Sequence, residues 1–292
     1  MIILGDCRII LNDLDDNSVL TCITSPPYWG DRDYGVDGQI GVEKNPFDYI
    51  TELASVFDIV RKKLAEKGSL FVVIDDTWVS NFTRCRKNSW LSSREGNNEG
   101  IDNESIRDEC LIDRNWSKEI SKQPGMAWLK AKQKMMLPER LAIEMQEKRD
   151  WFFREKLIWY KTNVGNYTNA RDRFAHAHEY ILHFTKSQDY FVSMPSIRDD
   201  EGKLYHDVIS IPIEREDNEH PATFPKQLAR MLINFSCPVG GVVLDPFAGA
   251  GTTLVAAKQA KRGYIGIEIS EKYREIAEKN VSEVIVNRGS IY

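Results

Sequence analysis

An α/β fold is what this sequence predicts, and three observations carry the prediction. Short apolar runs rich in β-branched residues alternate along the chain with stretches of helical periodicity. One of those runs, VVLD, enters a glycine-rich turn that opens a helix. No internal repeat and no long low-complexity tract interrupts the alternation.

The chain begins MIILGDCRII, which reads as a strand of the fold; Asp6 and the lack of a basic n-region argue against a signal peptide. Further strands are predicted over 19–24, 70–75, 156–160, 180–184, 242–245 and 264–269. Helices are predicted over 46–67, 138–149, 225–235, 252–261 and 271–281. Pro46, Pro138 and Pro225 stand near helix starts, where a missing N–H does no harm. Gly68 is the expected C-cap of the first helix. Residues 80–125 break the pattern with Asn, Ser, Arg and Glu clusters, and a loop of that length is functional or disordered. Residues 199–220 form a second, shorter irregular stretch. The expectation is a single catalytic domain over 1–292, with 80–125 as an inserted recognition or mobile segment.

Bulk properties narrow the classes. No stretch of ~18 apolar residues is present to span a membrane, so no membrane partner is expected. The five cysteines are an odd number with no C-x-x-C pair, which disfavours a disulfide framework or zinc site and fits a reducing cytoplasm. The histidines show no ligand spacing, so no metal is expected. The net charge of −5 argues mildly against nucleic acid, although DNA binding needs positive charge only locally. Local basic runs exist at Arg84, Arg86, Lys87 and Arg94, and at Lys130, Lys132 and Lys134. On charge alone they read as solvated faces.

The glycine-rich turn runs VVLDPFAGAGTT. Gly249 and Gly251 let the backbone approach a ligand, and the helix start offers free N–H donors. A phosphate-binding Walker loop needs Gly-Lys-Ser/Thr, but Thr252 follows Gly251 directly. A dinucleotide fingerprint needs Gly or Ala where Leu254 stands. The next strand, YIGIEIS, ends with Glu268, a candidate acceptor for ribose hydroxyls, so an adenosine-containing ligand is favoured. Near the other end, CITSPPYWG ends a strand abruptly at Pro26-Pro27, with Ser25 at its lip and Tyr28 and Trp29 beyond. Alone, that segment reads as a structural turn with core aromatics.

Together these segments resemble the amino-methyltransferases of DNA, in the permuted β-class arrangement. Ser25-Pro26-Pro27-Tyr28 resembles their catalytic motif, and Asp245-Pro246-Phe247-Ala248-Gly249-Ala250-Gly251-Thr252-Thr253 their cofactor loop. His220-Pro221-Ala222-Thr223-Phe224-Pro225 resembles the motif that helps enclose the cofactor, and Gly5-Asp6, followed by Cys7, the strand end beside the adenine. Lys156 to Lys161, with Trp159, and His178-Glu179-Tyr180 resemble the later motifs that pack against the flipped base. The catalytic motif precedes the cofactor loop, which disfavours RNA and protein methyltransferases with the opposite order. The resemblance implies a Rossmann-like methyltransferase sheet, mostly parallel with an antiparallel hairpin. It implies S-adenosyl-L-methionine as cofactor and double-stranded DNA as partner. A homodimer and a cognate restriction endonuclease remain open.

An exocyclic amine is a poor nucleophile because its lone pair is delocalised into the ring. Ser25 Oγ and the Pro26 carbonyl are the expected acceptors that draw the amine hydrogens away. The target base must be flipped out of the duplex. Tyr28 is the expected stacking platform, with Trp29, Trp159 and His178 shaping the pocket. Ring-carbon methylation would need a cysteine nucleophile, and no cysteine here follows a proline. Within the resemblance, Ser at the head of the catalytic motif is typical of cytosine-N4 enzymes, and Asp or Asn of adenine-N6 enzymes. Cytosine N4 is therefore the expected target, with adenine N6, an RNA substrate and a non-catalytic DNA-binding protein as alternatives. Residues 80–125, with Arg84, Arg86, Lys87 and Arg94, are the expected DNA-recognition surface, to which 163–173 could add.

Overall fold

The computed structural model describes residues 1–31, 35–79, 122, 126–130, 132–164, 173–198, 201–214 and 224–285. Its centre is an eight-stranded sheet. The strands are β1 (Ile2–Leu4), β2 (Val19–Thr24), β3 (Leu64–Ile74), β6 (Phe152–Tyr160), β7 (His178–Thr185), β8 (Val208–Ser210), β9 (Val242–Asp245) and β10 (Gly263–Glu268). Their order is β1-β10-β9-β2-β3-β7-β6-β8. From β1 to β3 every pairing is parallel. β7 runs antiparallel to both β3 and β6, and β6 pairs in parallel with β8. The sheet is thus mostly parallel with a β6–β7 hairpin, as expected. A two-stranded ribbon, β4 (Trp78–Val79) and β5 (Gln133–Lys134), stands apart.

Strand alternation supplies one core to each face of the sheet. Leu70, Val72 and Ile74 of β3 enter the core that holds Cys22 and Leu244. Phe71 and Val73 enter the opposite core with Ile23 and Val243. The first core is covered by α2 (Pro46–Lys63) and α3 (Leu137–Lys148). α2 starts well: Asn45 accepts from the Phe47 N–H at 2.9 Å, and Pro46 fills the first turn. Its Tyr49, Leu53, Phe57 and Val60 recur at helical spacing and are fully buried. Each contributes roughly 1.5–3 kcal/mol of burial. The second core is covered by α4 (Lys226–Ser236) and α5 (Thr252–Gln259). The short α1 (Cys7–Ile10) follows β1, and α6 (Glu271–Ser282) follows β10. Among the described residues no helix is long and apolar enough to cross a membrane.

β2 and β9 match the predicted bounds, but the end of α2 does not. The helix stops at Lys63, and Leu64 turns into extended backbone that begins β3. Gly68 is no C-cap; it lies at a register shift, where Val19 faces Leu64 and Thr21 faces Ser69. A Cβ on Gly68 would come within 2.9 Å of the Ala65 carbonyl and 3.1 Å of the Leu20 carbonyl. The glycine permits close backbone approach rather than a left-handed turn. Pro225 precedes α4 as its N-cap.

Gly266 of β10 couples sheet to helix. A Cβ there would overlap Leu254 Cδ1 of α5 and lie 3.2 Å from Ala248 Cβ. Gly266→Ala is expected to cost ~1–3 kcal/mol by overpacking and Leu254→Ala ~2–5 kcal/mol. In the double variant the costs should fall short of their sum by at least ~0.5 kcal/mol, because the cavity accepts the new methyl. Urea denaturation of the four proteins measures this; strict additivity would refute the contact.

Candidate active site

The carboxyl ends of β1, β2, β9 and β10 surround one cavity, the edge at which open α/β sheets bind ligands. β2 contributes Ser25, Pro26, Pro27 and Tyr28, which follow its last residue, Thr24. The prolines have no N–H to continue the ladder. Tyr49 of α2 fastens the turn by donating to the Pro27 carbonyl at 2.9 Å. β9 contributes Asp245 and the turn through Pro246, Phe247 and Gly249 to Thr252. Gly249 (φ +50°) and Gly251 (φ +83°) are left-handed. At Gly251 a Cβ would also lie 3.0 Å from Ala277 Cβ of α6.

The two turns are joined by side chains. Thr24 Oγ1 donates to Asp245 Oδ1 at 2.6 Å, and the Phe247 N–H donates to the same oxygen at 3.1 Å. Thr253 Oγ1 donates to the Ile23 carbonyl at 3.3 Å. Burial pushes the Asp245 carboxyl up to about 6; the Thr24 and Thr253 hydroxyls and the Phe247 N–H oppose the rise, and the charge of Glu268 adds to it.

Across the cavity, Gly5, Asp6 and Cys7 follow β1, and Glu268 ends β10. Glu268 is buried, which raises its pKa. Its two oxygens accept from the Gly249 N–H at 2.8 Å and the Ser270 N–H at 2.9 Å. Each keeps a lone pair for a ligand hydroxyl. Asp6 caps α1 by accepting from the Arg8 N–H at 2.9 Å, and it pairs with the Arg8 guanidinium at 2.5 Å. Burial pushes the Cys7 thiol up to about 12, so it stays neutral. Phe224, Phe247 and Ile267 supply apolar wall. Three carboxylates beside aromatic surface suit a flat base, vicinal hydroxyls and a cationic centre, the chemistry of S-adenosylmethionine.

The cavity brings together Asp6, Cys7, Ser25, Pro26, Pro27, Tyr28, Phe224, Asp245, Pro246, Phe247, Gly249, Thr252 and Glu268 from the expected set. Gly251 and the fully buried Thr253 shape the loop from behind, and Pro225 caps α4. The three expected base-pocket residues are elsewhere. Trp29 is turned inward, 3% exposed, with its indole N–H on the Glu43 carbonyl at 2.8 Å. Trp159 is 2% exposed and donates to the Ile211 carbonyl at 2.9 Å. Both are satisfied core tryptophans, because an indole needs one acceptor and apolar surroundings. The His178 ring lies tilted against His176 (4.5 Å) and edge-on to Tyr180 (5.1 Å), away from the cavity lining. Thr223, Arg84, Arg86, Lys87 and Arg94 lie outside the described residues, as do 80–121 of the expected insertion.

Other lining residues stand outside the expected site set, although Glu179 belongs to the His178-Glu179-Tyr180 motif. Gly38, Gln39 and Ile40 cross the cavity after the turn of Ser25 to Tyr28, and the Gly38 carbonyl is held by Arg8 at 2.6 Å. Tyr273 of α6 also lines it. Glu179 reaches it from β7, one residue along from His178; strand parity sends the two to opposite faces. A carboxylate in the otherwise apolar run EYIL was the available signal. Glu179 Oε2 accepts from Tyr28 Oη at 2.6 Å, and its Oε1 is paired with Lys161 Nζ at 2.5 Å. Ser25 Oγ donates to Tyr28 Oη at 3.5 Å.

Comparison with known proteins gives a consistent picture. The family model for DNA methylase matches residues 19–279. The type II methyltransferase M.SmaI of Serratia marcescens is 34% identical over 287 residues, covering 96% of this chain and 90% of the relative. M.Cfr9I of Citrobacter freundii is 31% identical over 278 residues, covering 94% and 84%. Among solved structures, the PvuII DNA methyltransferase (cytosine-N4-specific) superposes with a TM-score of 0.69 at 17% identity, covering 99% of this chain and 87% of that one. A Thermus thermophilus protein in complex with S-adenosyl-L-methionine gives 0.62 at 22% identity, covering 99% and 98%. At those identities the structures share the fold.

The Asp245 carboxyl gives a pH signature. Its folded pKa of about 6 lies above the ordinary 3.8, so the folded state holds a proton that the unfolded state releases. Its contribution is therefore fully present below about pH 4 and is lost as pH rises through about 6, a change of order 3 kcal/mol. Asp245→Asn keeps an acceptor for Thr24 and removes the titration. Relative to wild type the variant should gain stability across pH 4 to 6, measured by urea denaturation at stepped pH. A constant difference would contradict the assignment.

Proposed function

The chain belongs to the DNA methylase family, the amino-methyltransferases of DNA, and from that premise we propose that it methylates cytosine N4 at a specific site in double-stranded DNA, with S-adenosylmethionine as methyl donor. The observation that carries the reading is the convergence of Ser25 and Tyr28 with the Asp245–Glu268 cofactor walls on one cavity. Bound there, the donor supplies a methyl group already activated by its sulfonium. The protein's task is then to position an amine for in-line attack and to free its lone pair.

Ser25 Oγ and the Pro26 carbonyl accept the two amine hydrogens, which localises the lone pair towards the methyl. The prolines fix both acceptors on a rigid turn, so little reorganisation is needed in the transition state. Tyr28 presents its ring to the flipped base, held in orientation by Glu179. Glu268 would accept from the ribose hydroxyls, and Phe224 would help enclose the cofactor. Within the family resemblance, serine at position 25 favours cytosine over adenine, and the PvuII fold neighbour is described as cytosine-N4-specific. The 80–125 segment, with Arg84, Arg86, Lys87 and Arg94, is assigned to DNA recognition within a single catalytic domain, and Thr223 to the cofactor side. Type II relatives make a cognate restriction endonuclease the natural partner.

Mass spectrometry of nucleosides from duplex DNA treated with the pure enzyme tests the reading. N4-methylcytosine is the expected product; N6-methyladenine would overturn the base assignment. Ser25→Ala should lower the rate of transfer by ~10²–10³-fold while cofactor affinity stays within about 3-fold of wild type. Unaltered transfer would remove Ser25 from the site.

A further inference from the structure

We propose that Glu179 is the terminal proton acceptor of the methyl transfer, reached from the target amine through Ser25 Oγ and Tyr28 Oη, and that Lys161 is the residue that positions it. The proposal rests on the reading that an exocyclic amine is methylated at Ser25, and holds for either base.

The protons available on the three groups fix the direction of the chain. A carboxylate can only accept, a phenol has one proton to give, and so has a serine hydroxyl. Tyr28 Oη spends its proton on Glu179 Oε2 at 2.6 Å. What it can then offer Ser25 is a lone pair, and Ser25 Oγ donates to it at 3.5 Å. That contact is at the long limit, and such contacts shorten when substrate closes the site. With its own proton committed, Ser25 Oγ has only lone pairs left for the cavity. Glu179 therefore dictates that Ser25 accepts from the amine rather than donating to it. Were the chain to point the other way, Ser25 would donate to the amine nitrogen and withdraw the lone pair needed for attack.

Glu179 is suited to the end of such a chain. Its side chain is 12% exposed and its partner Lys161 16%, so the pair is sheltered yet connected to solvent. Lys161 Nζ holds Oε1, which leaves Oε2 to Tyr28. The neighbouring carboxylate, Asp75 at the end of β3, is engaged by His176 Nε2 at 2.7 Å. Burial first, and then the Glu179 charge, hold the Tyr28 phenol well above its usual range. Tyr28 thus passes a proton on only as it receives one.

The step balances. The methyl carbon–nitrogen bond forms as the carbon–sulfur bond breaks, and that bond's electron pair stays on sulfur. The amine nitrogen, now carrying one positive charge, gives a proton to Ser25 Oγ. Ser25 gives its proton to Tyr28 Oη, and Tyr28 gives its own to Glu179. Glu179 leaves the step as a carboxylic acid and releases the proton to solvent.

The test is single-turnover methylation of a cognate duplex by full-length protein saturated with S-adenosylmethionine, in mixtures of H2O and D2O. Glu179→Gln keeps an acceptor for Tyr28 but cannot take a proton. It should slow the chemical step by ~10²-fold. The proton inventory should change from several protons in wild type to at most one. Equilibrium affinities for cofactor and for duplex should stay within about 3-fold. Glu179→Asp should recover part of the rate. Lys161→Met, which retains the carboxylate, should slow the step less than Glu179→Gln and keep the multi-proton inventory; it carries the test if Glu179→Gln does not fold. A wild-type rate in Glu179→Gln, or a slowed step with the wild-type inventory and weakened cofactor binding, would overturn the relay. The nucleoside formed by wild type independently decides the base, so failure of that reading is distinguishable from failure of the relay.

Discussion

Thr24 Oγ1 gives its hydrogen bond to Asp245 Oδ1 across the seam where β2 lies beside β9, joining residues 221 positions apart. The turn of Ser25 to Tyr28 grows from the next residue of β2 and the glycine-rich turn from the next residue of β9. A methyl transfer needs its two partners within a fraction of an ångström of the productive geometry. Side chains on mobile loops could not supply that, but two turns anchored to adjacent strand ends can. The seam carries a buried carboxyl whose desolvation opposes folding, offset in part by hydrogen bonds from Thr24 and Phe247. Fully satisfied buried networks of this kind hold one arrangement rather than several.

The layering around that seam follows from strand parity. Parallel strands buried on both faces need apolar side chains in both directions, and β2 and β3 provide them. The polar functions are confined to the strand ends, where parity decides again: Glu179 is delivered to the cavity, and His178 and Tyr180 to the other side. The cavity is acidic on the side lined by Asp6, Asp245 and Glu268. That suits a cationic sulfonium and contributes to the net charge of −5, which is therefore not a measure of the surface that meets DNA.

Much of this was legible in the sequence because it depends on local backbone chemistry. Pro26-Pro27 must end a strand, and Gly249 and Gly251 must turn one, wherever they occur. Asp245 and Glu268 were found because each ends an apolar run. What was not legible depends on distant contacts. Leu64 to Lys67 continues the amphipathic pattern of α2, and only pairing with β2 pulls it into β3. Trp29 and Trp159 stand beside catalytic motifs in the chain, yet their indole N–H groups find backbone acceptors in the core. Gly38 to Ile40 carries no chemical signature; it lines the cavity because Arg8 holds it there. Glu179 was visible as a charge within a strand, but its role appears only once its oxygens are seen to meet Tyr28 and Lys161.

The β2–β9 seam also has a temporal side. Synthesis proceeds from the N-terminus, so β2 leaves the ribosome long before β9 does. Until β9 and the turn after it have emerged, β2 has a neighbour on one side only, and the apolar faces around Ile23 and Cys22 have incomplete cover. A sheet whose central pairing spans most of the chain closes slowly, because the loop entropy falls due before the contact is made. The polypeptide therefore passes through a stage in which the turn of Ser25 to Tyr28 exists and the wall from Asp245 to Thr252 does not. Such a protein gains the capacity to modify its substrate only after β9 has joined β2, and a fragment that stops short of β9 has none.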